Sequence, residues 1–311
     1  MPYRKLIRFG DSSYVVSLPK KWVDDHKLSK GDLISLREDG AHLFISPASQ
    51  ENGKKTLRET SINVDELKTI KHLKSQLSAA YVNNFDTIVL RGDTLSSFDV
   101  SSLLSSFIAL EIVQKSKNRI VLKDFLNIDD LSLPDTLRRV HYTLQSMLED
   151  MREALHKGKD CWDDLKDRDR SINSLSYLIF KALKRSSQPS YRERLGLDVD
   201  AVIFYWNTIT LLEDIGNQLK RIAALQLKLD PSALSLFDQV SLYYGNMMTA
   251  FFKKDQLALT NLSRKKGELL QACDTILEKY PKSSHLYLEK LKNIITCCST
   301  LGSTYLRYVY T

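Results

Sequence analysis

The segment NTITLLEDIGNQLKRIA, Asn207–Ala223, lies over NIITCCSTLGSTYLRYV, Asn293–Val309, with Asn, Ile, Thr, Gly and Arg identical at matching places. A looser match between the segments that begin at Arg138 and near Phe237 pairs Val140 with Val240 and Met147 with Met247, an offset of 100 residues. Helical stretches, WDDLKDRDRSINSLSYLIFKALK and LALTNLSRKKGELLQACDTILEKY, stand between the matched pairs. A tandem of this kind restricts the C-terminal part to two three-helix units, because each repeat must bury the apolar face that the other exposes. Leu212, Ile215, Leu219 and Ile222 step by three and four residues and form one apolar seam. Gly216 and Gly302 fall in mid-helix, where glycine costs about 1 kcal/mol relative to alanine. Close approach of a neighbouring helix is the expected reason for keeping both.

Upstream of the repeat the rhythm is different. KLIRF, YVVSL, LISLRE and HLFISP are short alternating strands, the last two separated by Asp39-Gly40, a hairpin dipeptide. Pro19 is expected to end the second strand and to start a short basic helix with its φ already set. Pro47–Thr60 is polar and aperiodic and reads as a linker. Asp65–Asn83 reads as a helix, DTIVLRG as a buried strand, VSSLLSSFIALEIV as a helix turning into a strand, and NRIVLKDF as a further strand. The expected chain is therefore multidomain α+β. A β domain spans 1–47, a linker 48–60 and a small α+β module 61–128. Two three-helix bundles follow, at 129–230 and 231–311.

Composition narrows the chemistry. The 311 residues are 43% hydrophobic, enough for several packed cores, and 45 Lys and Arg against 38 Asp and Glu leave a net charge of +7. Cys161, Cys273 and the adjacent Cys297-Cys298 show no metal or disulfide spacing, which points to a reducing cytoplasm. No apolar run approaches the roughly 20 residues that span a bilayer, so membrane insertion is not expected. The six histidines are scattered, and none joins a Cys or Ser in a nucleophile motif. Glu149 and Glu153 are one helical turn apart on what reads as a solvated face. Gly92-Asp93 follows a strand but belongs to no phosphate-binding loop and reads as a plain turn. An enzyme is not expected.

Two stretches carry a resemblance. Residues 4–47, with Leu18-Pro19-Lys20, Leu28-Ser29-Lys30-Gly31-Asp32 and Asp39-Gly40, resemble an AbrB/SpoVT domain, a swapped-hairpin fold in which two chains interlace. The helical end is similar to PhoU, whose marker helix appears here as Leu212-Glu213-Asp214-Ile215-Gly216-Asn217. An AbrB-like head, an α+β module and a PhoU-like tail form an arrangement associated with archaeal phosphate-uptake regulators.

The resemblance implies a cytoplasmic homodimer formed through the head, with Val15, Val16, Leu18, Leu33, Ile34, Leu43 and Ile45 as apolar positions of an interlaced core. It also implies DNA as a partner, and Arg4, Lys5, Arg8, Lys20 and Lys21 are the cations placed to meet phosphates. The function implied is a DNA-binding transcriptional regulator of phosphate uptake. The alternative is a cytoplasmic adaptor that dimerises through the head and restrains a phosphate transporter or its signalling partner. PhoU proteins are further expected to hold iron or zinc between carboxylates one turn apart. Here Glu213 remains as a metal candidate, but its partner is Asn217. The second repeat has Ser299 and Ser303, and the neighbouring helix has Ile172-Asn173 where the family tends to carry Asp after Ile. No cofactor is therefore expected to be retained.

Overall fold

Glycine turns and β-branched residues shape the first of two units, Met1–Thr56; the second is Leu57–Thr311. The computed structural model describes residues 3–39, 42–47, 57–128, 131–226, 229–279 and 281–310. In the first unit, β1 (Ile7–Phe9) and β2 (Ser13–Val15) pair antiparallel, with Ile7 opposite Val15. Gly10 begins the turn between them at φ +71°, a backbone region in which a side chain is strained. Helix α1 spans Lys20–Asp25, and β3 (Ile34–Asp39) pairs antiparallel with β4 (His42–Pro47). Gly40 of the expected hairpin dipeptide lies outside the described residues, as do linker residues 48–56.

The expected strand 14–18 is shorter than its sequence suggests. The ladder with β1 ends at the Ile7–Val15 pair, and Val16, Ser17 and Leu18 are not paired with Leu6, Lys5 and Arg4, which precede β1. The strand thus ends before Pro19 is reached. Pro19 sits at the N-cap with ψ 129°, one residue before the helix rather than inside it.

The second unit opens with a four-stranded sheet in the order β5-β6-β8-β7. β5 (Glu59–Asn63) runs parallel to β6 (Thr87–Arg91), while β8 (Arg119–Asp124) pairs antiparallel with both β6 and β7 (Leu110–Lys115). Glu59 and Thr60, read as linker, therefore belong to a strand; their polarity conceals an edge position whose pairing comes from β6. Helix α2 (Ile70–Val82) packs Leu73, Leu77 and Tyr81 on Ile88, Leu90 and Leu122 of the sheet. It starts later than expected, because Thr69 caps it by accepting from His72 N, and Val64–Glu66 is a separate 3-10 turn. Helix α3 spans Val100–Leu104.

Gly92 is the turn glycine after β6. Its φ is +146°, and an added Cβ would lie 2.6 Å from Val64 Cγ2 and 2.7 Å from Asp65 Oδ1. The Asp65 carboxylate accepts from Asp93 N, Thr94 N and Thr94 Oγ1 at 2.7–3.0 Å, and these hydrogen bonds hold it below the usual carboxylate range. The turn is closed by the chain's own side chain.

The helices that follow are α4 (Leu133–Lys157), α5 (Trp162–Arg185), the short α6 (Pro189–Arg194) and α7 (Val199–Ala223). They are followed by α8 (Pro231–Lys253), α9 (Gln256–Lys279) and α10 (Pro281–Val309). Capping fixes their starts: Ser132, Asp198 and Asp230 each accept from a backbone N–H of the first turn. One core runs through both repeats, since the equivalent helices α7 and α10 pack on each other. Leu212, Ile215, Leu219 and Ile222 are all buried in it.

Both mid-helix glycines sit under a neighbour. A Cβ on Gly216 would stand 3.2 Å from Ile172 Cδ1 and 3.3 Å from Leu144 Cδ2, side chains of two different helices. At Gly302 it would meet the flexible thioether of Met247, Sδ at 3.0 Å. The two sites are therefore expected to respond differently. Gly216→Val should cost about 1–3 kcal/mol, because two branched side chains must be displaced. Gly302→Ala should stay within about 1 kcal/mol of the wild type, since Met247 can move and alanine favours the helix. Urea denaturation midpoints of the two variants check this.

Candidate nucleic-acid interface and carboxylate cluster

Arg4, Lys5, Arg8, Lys20 and Lys21 of the head are all exposed. Arg4 and Lys5 precede β1, Arg8 lies within it opposite Tyr14, and Lys20 and Lys21 open α1. Arg8 donates to Gly10 O at 3.3 Å and faces Asp11 at 3.7 Å, so part of its charge is answered locally. Arg4, Lys5, Lys20 and Lys21 make no ion pair or hydrogen bond among the described residues. Lys20 and Lys21 stand at the helix end where the backbone dipole disfavours cations.

The apolar residues of the same unit are exposed as well. Phe9 is 70% and Leu33 79% accessible, and Ile7, Tyr14, Leu36 and Leu43 are more than half exposed. Of Val15, Val16, Leu18, Leu33, Ile34, Leu43 and Ile45, none is buried within one chain. Two separate two-stranded sheets with outward apolar side chains cannot hold themselves together in water.

In the helical unit, Glu213 on α7 is half-buried, with Asn217 one turn further on. On α5, Asp169 is 7% exposed and Asn173 stands one turn beyond it. The sequence reading singled out Glu213 and Asn173 but missed Asp169 and Lys220. Lys220 Nζ lies 2.5 Å from Asp169 Oδ2 and 3.4 Å from Asn217 Oδ1, and Asn173 Nδ2 donates to the same Asp169 oxygen at 3.2 Å. The signal was present, since Lys220 is seven residues after Glu213 and so lies two turns along the same face. Lys74, from α2, is the further cation that acts on Asp169 and Glu213. Burial, then Asp169 and Asp214, push the Glu213 carboxyl above its ordinary range. Burial holds the Lys74 ammonium below its own.

Glu149, Glu153, His141, His156 and Asp238 are engaged elsewhere. Glu153 binds Lys157 and Lys159 at 2.7 and 3.1 Å, and Glu149 accepts from Gln145. His141 faces Tyr244 Oη at 3.0 Å and is held at about 4 by burial and by Arg138. Asp238 on α8 takes Arg152 and His156 from α4. Among the described residues no group of three or more His, Cys, Asp or Glu side chains is arranged to hold a metal. No described helix is long and apolar enough to cross a membrane.

Residues 7–52 match the family described as antidote-toxin recognition MazE, bacterial antitoxin, and residues 137–225 match the PhoU domain family. The chain thus carries one stretch similar to the MazE antitoxin family and another similar to the PhoU domain family. The PhoU match covers α4 to α7; the second repeat lies outside it. The crystal structure of PhoU from Pseudomonas aeruginosa is similar to this chain at 15% identity, over 57% of this chain and 95% of that one, with a TM-score of 0.46. No curated protein matches the chain.

Proposed function

We propose that the chain is a dimeric, DNA-binding regulator of phosphate uptake that works in the cytoplasm. Its head pairs with a second copy and presents Arg4, Lys5, Arg8, Lys20 and Lys21 to a duplex. Its PhoU-like helices receive the phosphate signal, through a transporter or a signalling protein. The observation that carries this reading is the coincidence, in one small unit, of exposed apolar strands with Arg4, Lys5, Lys20 and Lys21, which are without partners among the described residues. Doubling the unit about a two-fold axis would bury the first and concentrate the second. The four free cysteines fit a reducing compartment.

Salt decides between phosphate recognition and an adaptor. If 6–10 phosphates are neutralised per dimer, duplex affinity should fall by about 10³–10⁵ between about 50 and 200 mM salt. Replacing Lys20 and Lys21 by alanine removes four cations per dimer. It should weaken binding to every sequence alike and reduce the log–log salt slope by about three to four. Fluorescence anisotropy of a labelled duplex reads both effects. An unchanged slope, or no binding at low salt, would favour the adaptor that dimerises through its head and restrains a transport protein.

A further inference from the structure

The resemblance to PhoU raises iron or zinc as an occupant of paired carboxylates on α5 and α7. The residues present do not fit one. At the two positions one turn apart, each helix pairs one carboxylate, Asp169 or Glu213, with an amide, Asn173 or Asn217. An amide is a weak, neutral ligand beside a carboxylate. More decisively, the inward oxygen of Asp169 is already bonded to the Lys220 ammonium at 2.5 Å and to Asn173 Nδ2. A divalent ion at that oxygen would meet a positive charge within hydrogen-bonding distance.

We propose that this cluster carries its own cation: Lys220 neutralises Asp169, the carboxylate of α5 at this site, in place of a metal. The argument is one of charge in a poorly hydrated site. A carboxylate as buried as Asp169 is costly unless it is paired and hydrogen-bonded, and Lys220 with Asn173 supplies both. The neighbouring charges nearly cancel. Asp169, Glu213 and Asp214 stand against Lys74, Lys220 and Arg170, and Arg170 itself is paired with Asp167 at 3.1 Å. A metal would have to displace the Lys220 ammonium from Asp169. The helical bundle is thereby independent of metal supply.

Three variants of the full chain test this: Lys220→Met, Asp169→Asn, and the two together. Lys220→Met leaves Asp169 uncompensated and should lower the melting temperature by about 4–8 °C. Adding Asp169→Asn should restore a large part of that loss, because the charge that needed Lys220 is gone. If Lys220→Met does not fold, Lys220→Arg should keep the wild-type melting temperature while Lys220→Gln lowers it. Wild-type protein should melt identically with and without a chelator and should carry no stoichiometric metal by elemental analysis. Iron or zinc retained through dialysis, a chelator-dependent melting temperature, or a double variant no more stable than Lys220→Met would each overturn the proposal.

Discussion

Replacing Lys181 by methionine is expected to destabilise the second unit by about 3–5 kcal/mol, a large share of what a domain has. Lys181 is 1% exposed on α5, and its ammonium lies 2.6 Å from Asp124 Oδ2 at the end of β8. The same ammonium donates to Tyr81 O at 2.9 Å and stands over the Tyr81 ring, 4.2 Å from its centroid. Removing it strands a buried carboxylate and leaves the Tyr81 carbonyl without this donor. The backbone at this position is tied as well, since Asn84 Nδ2 donates to Lys181 O at 3.0 Å. Phe107 of the module stacks on Tyr177 of α5 nearby, so the lost charge lies within a packed seam between sheet module and bundle. Asp124→Asn in the Lys181→Met background should recover part of the stability, since two neutral side chains cost less than one unpaired charge. Urea denaturation of the single and double variants measures both quantities. A single variant within 1 kcal/mol of wild type, a margin about the size of an exposed pair's contribution, would contradict this account of the seam.

The head should show the second large effect. Fewer than about 50 residues seldom supply a self-sufficient core, and here the strands put their apolar side chains outward. Dimerisation would also give Val16, Ser17 and Leu18 the ladder partners that β1 does not provide. Leu43→Asp, on β4, would place a carboxylate in the shared core of both copies. Each such charge costs about 3 kcal/mol or more, so the dimer dissociation constant should rise at least about a hundred-fold. Sedimentation equilibrium against wild type reads the change.

How much of this was legible in the sequence depends on how local each cause is. The hairpins, β6, β8 and the long helices follow from alternation or from a three-to-four spacing, and their chain positions could be read directly. The repeat exposed the role of Gly216 and Gly302, because a costly residue retained twice at one place needs a neighbour. Features set by pairing were hidden. β5 starts at Glu59 because β6 offers it a ladder, and β2 stops at Val15, where its pairing with Ile7 ends. The ion pairs Lys181–Asp124 and Lys220–Asp169 join residues far apart in the chain, and no spacing rule reaches across that distance. Asp169 looked like one more acid in a charged run, WDDLKDRDRS, until burial distinguished it from Asp163 and Asp167. The five cations of the head were legible as residue types. That four of them are without local partners among the described residues was not.

The central claim joins dimerisation to duplex binding, and sedimentation velocity with a fluorescently labelled duplex tests both together. At about 50 mM salt the duplex should sediment with two copies of the chain, and at about 200 mM salt it should separate from an intact dimer. Leu43→Asp should abolish co-sedimentation by dissociating the dimer, whereas Lys20→Ala with Lys21→Ala should weaken it while leaving the dimer whole. A monomeric wild-type chain, or a dimer that leaves the duplex behind at low salt, would contradict the account.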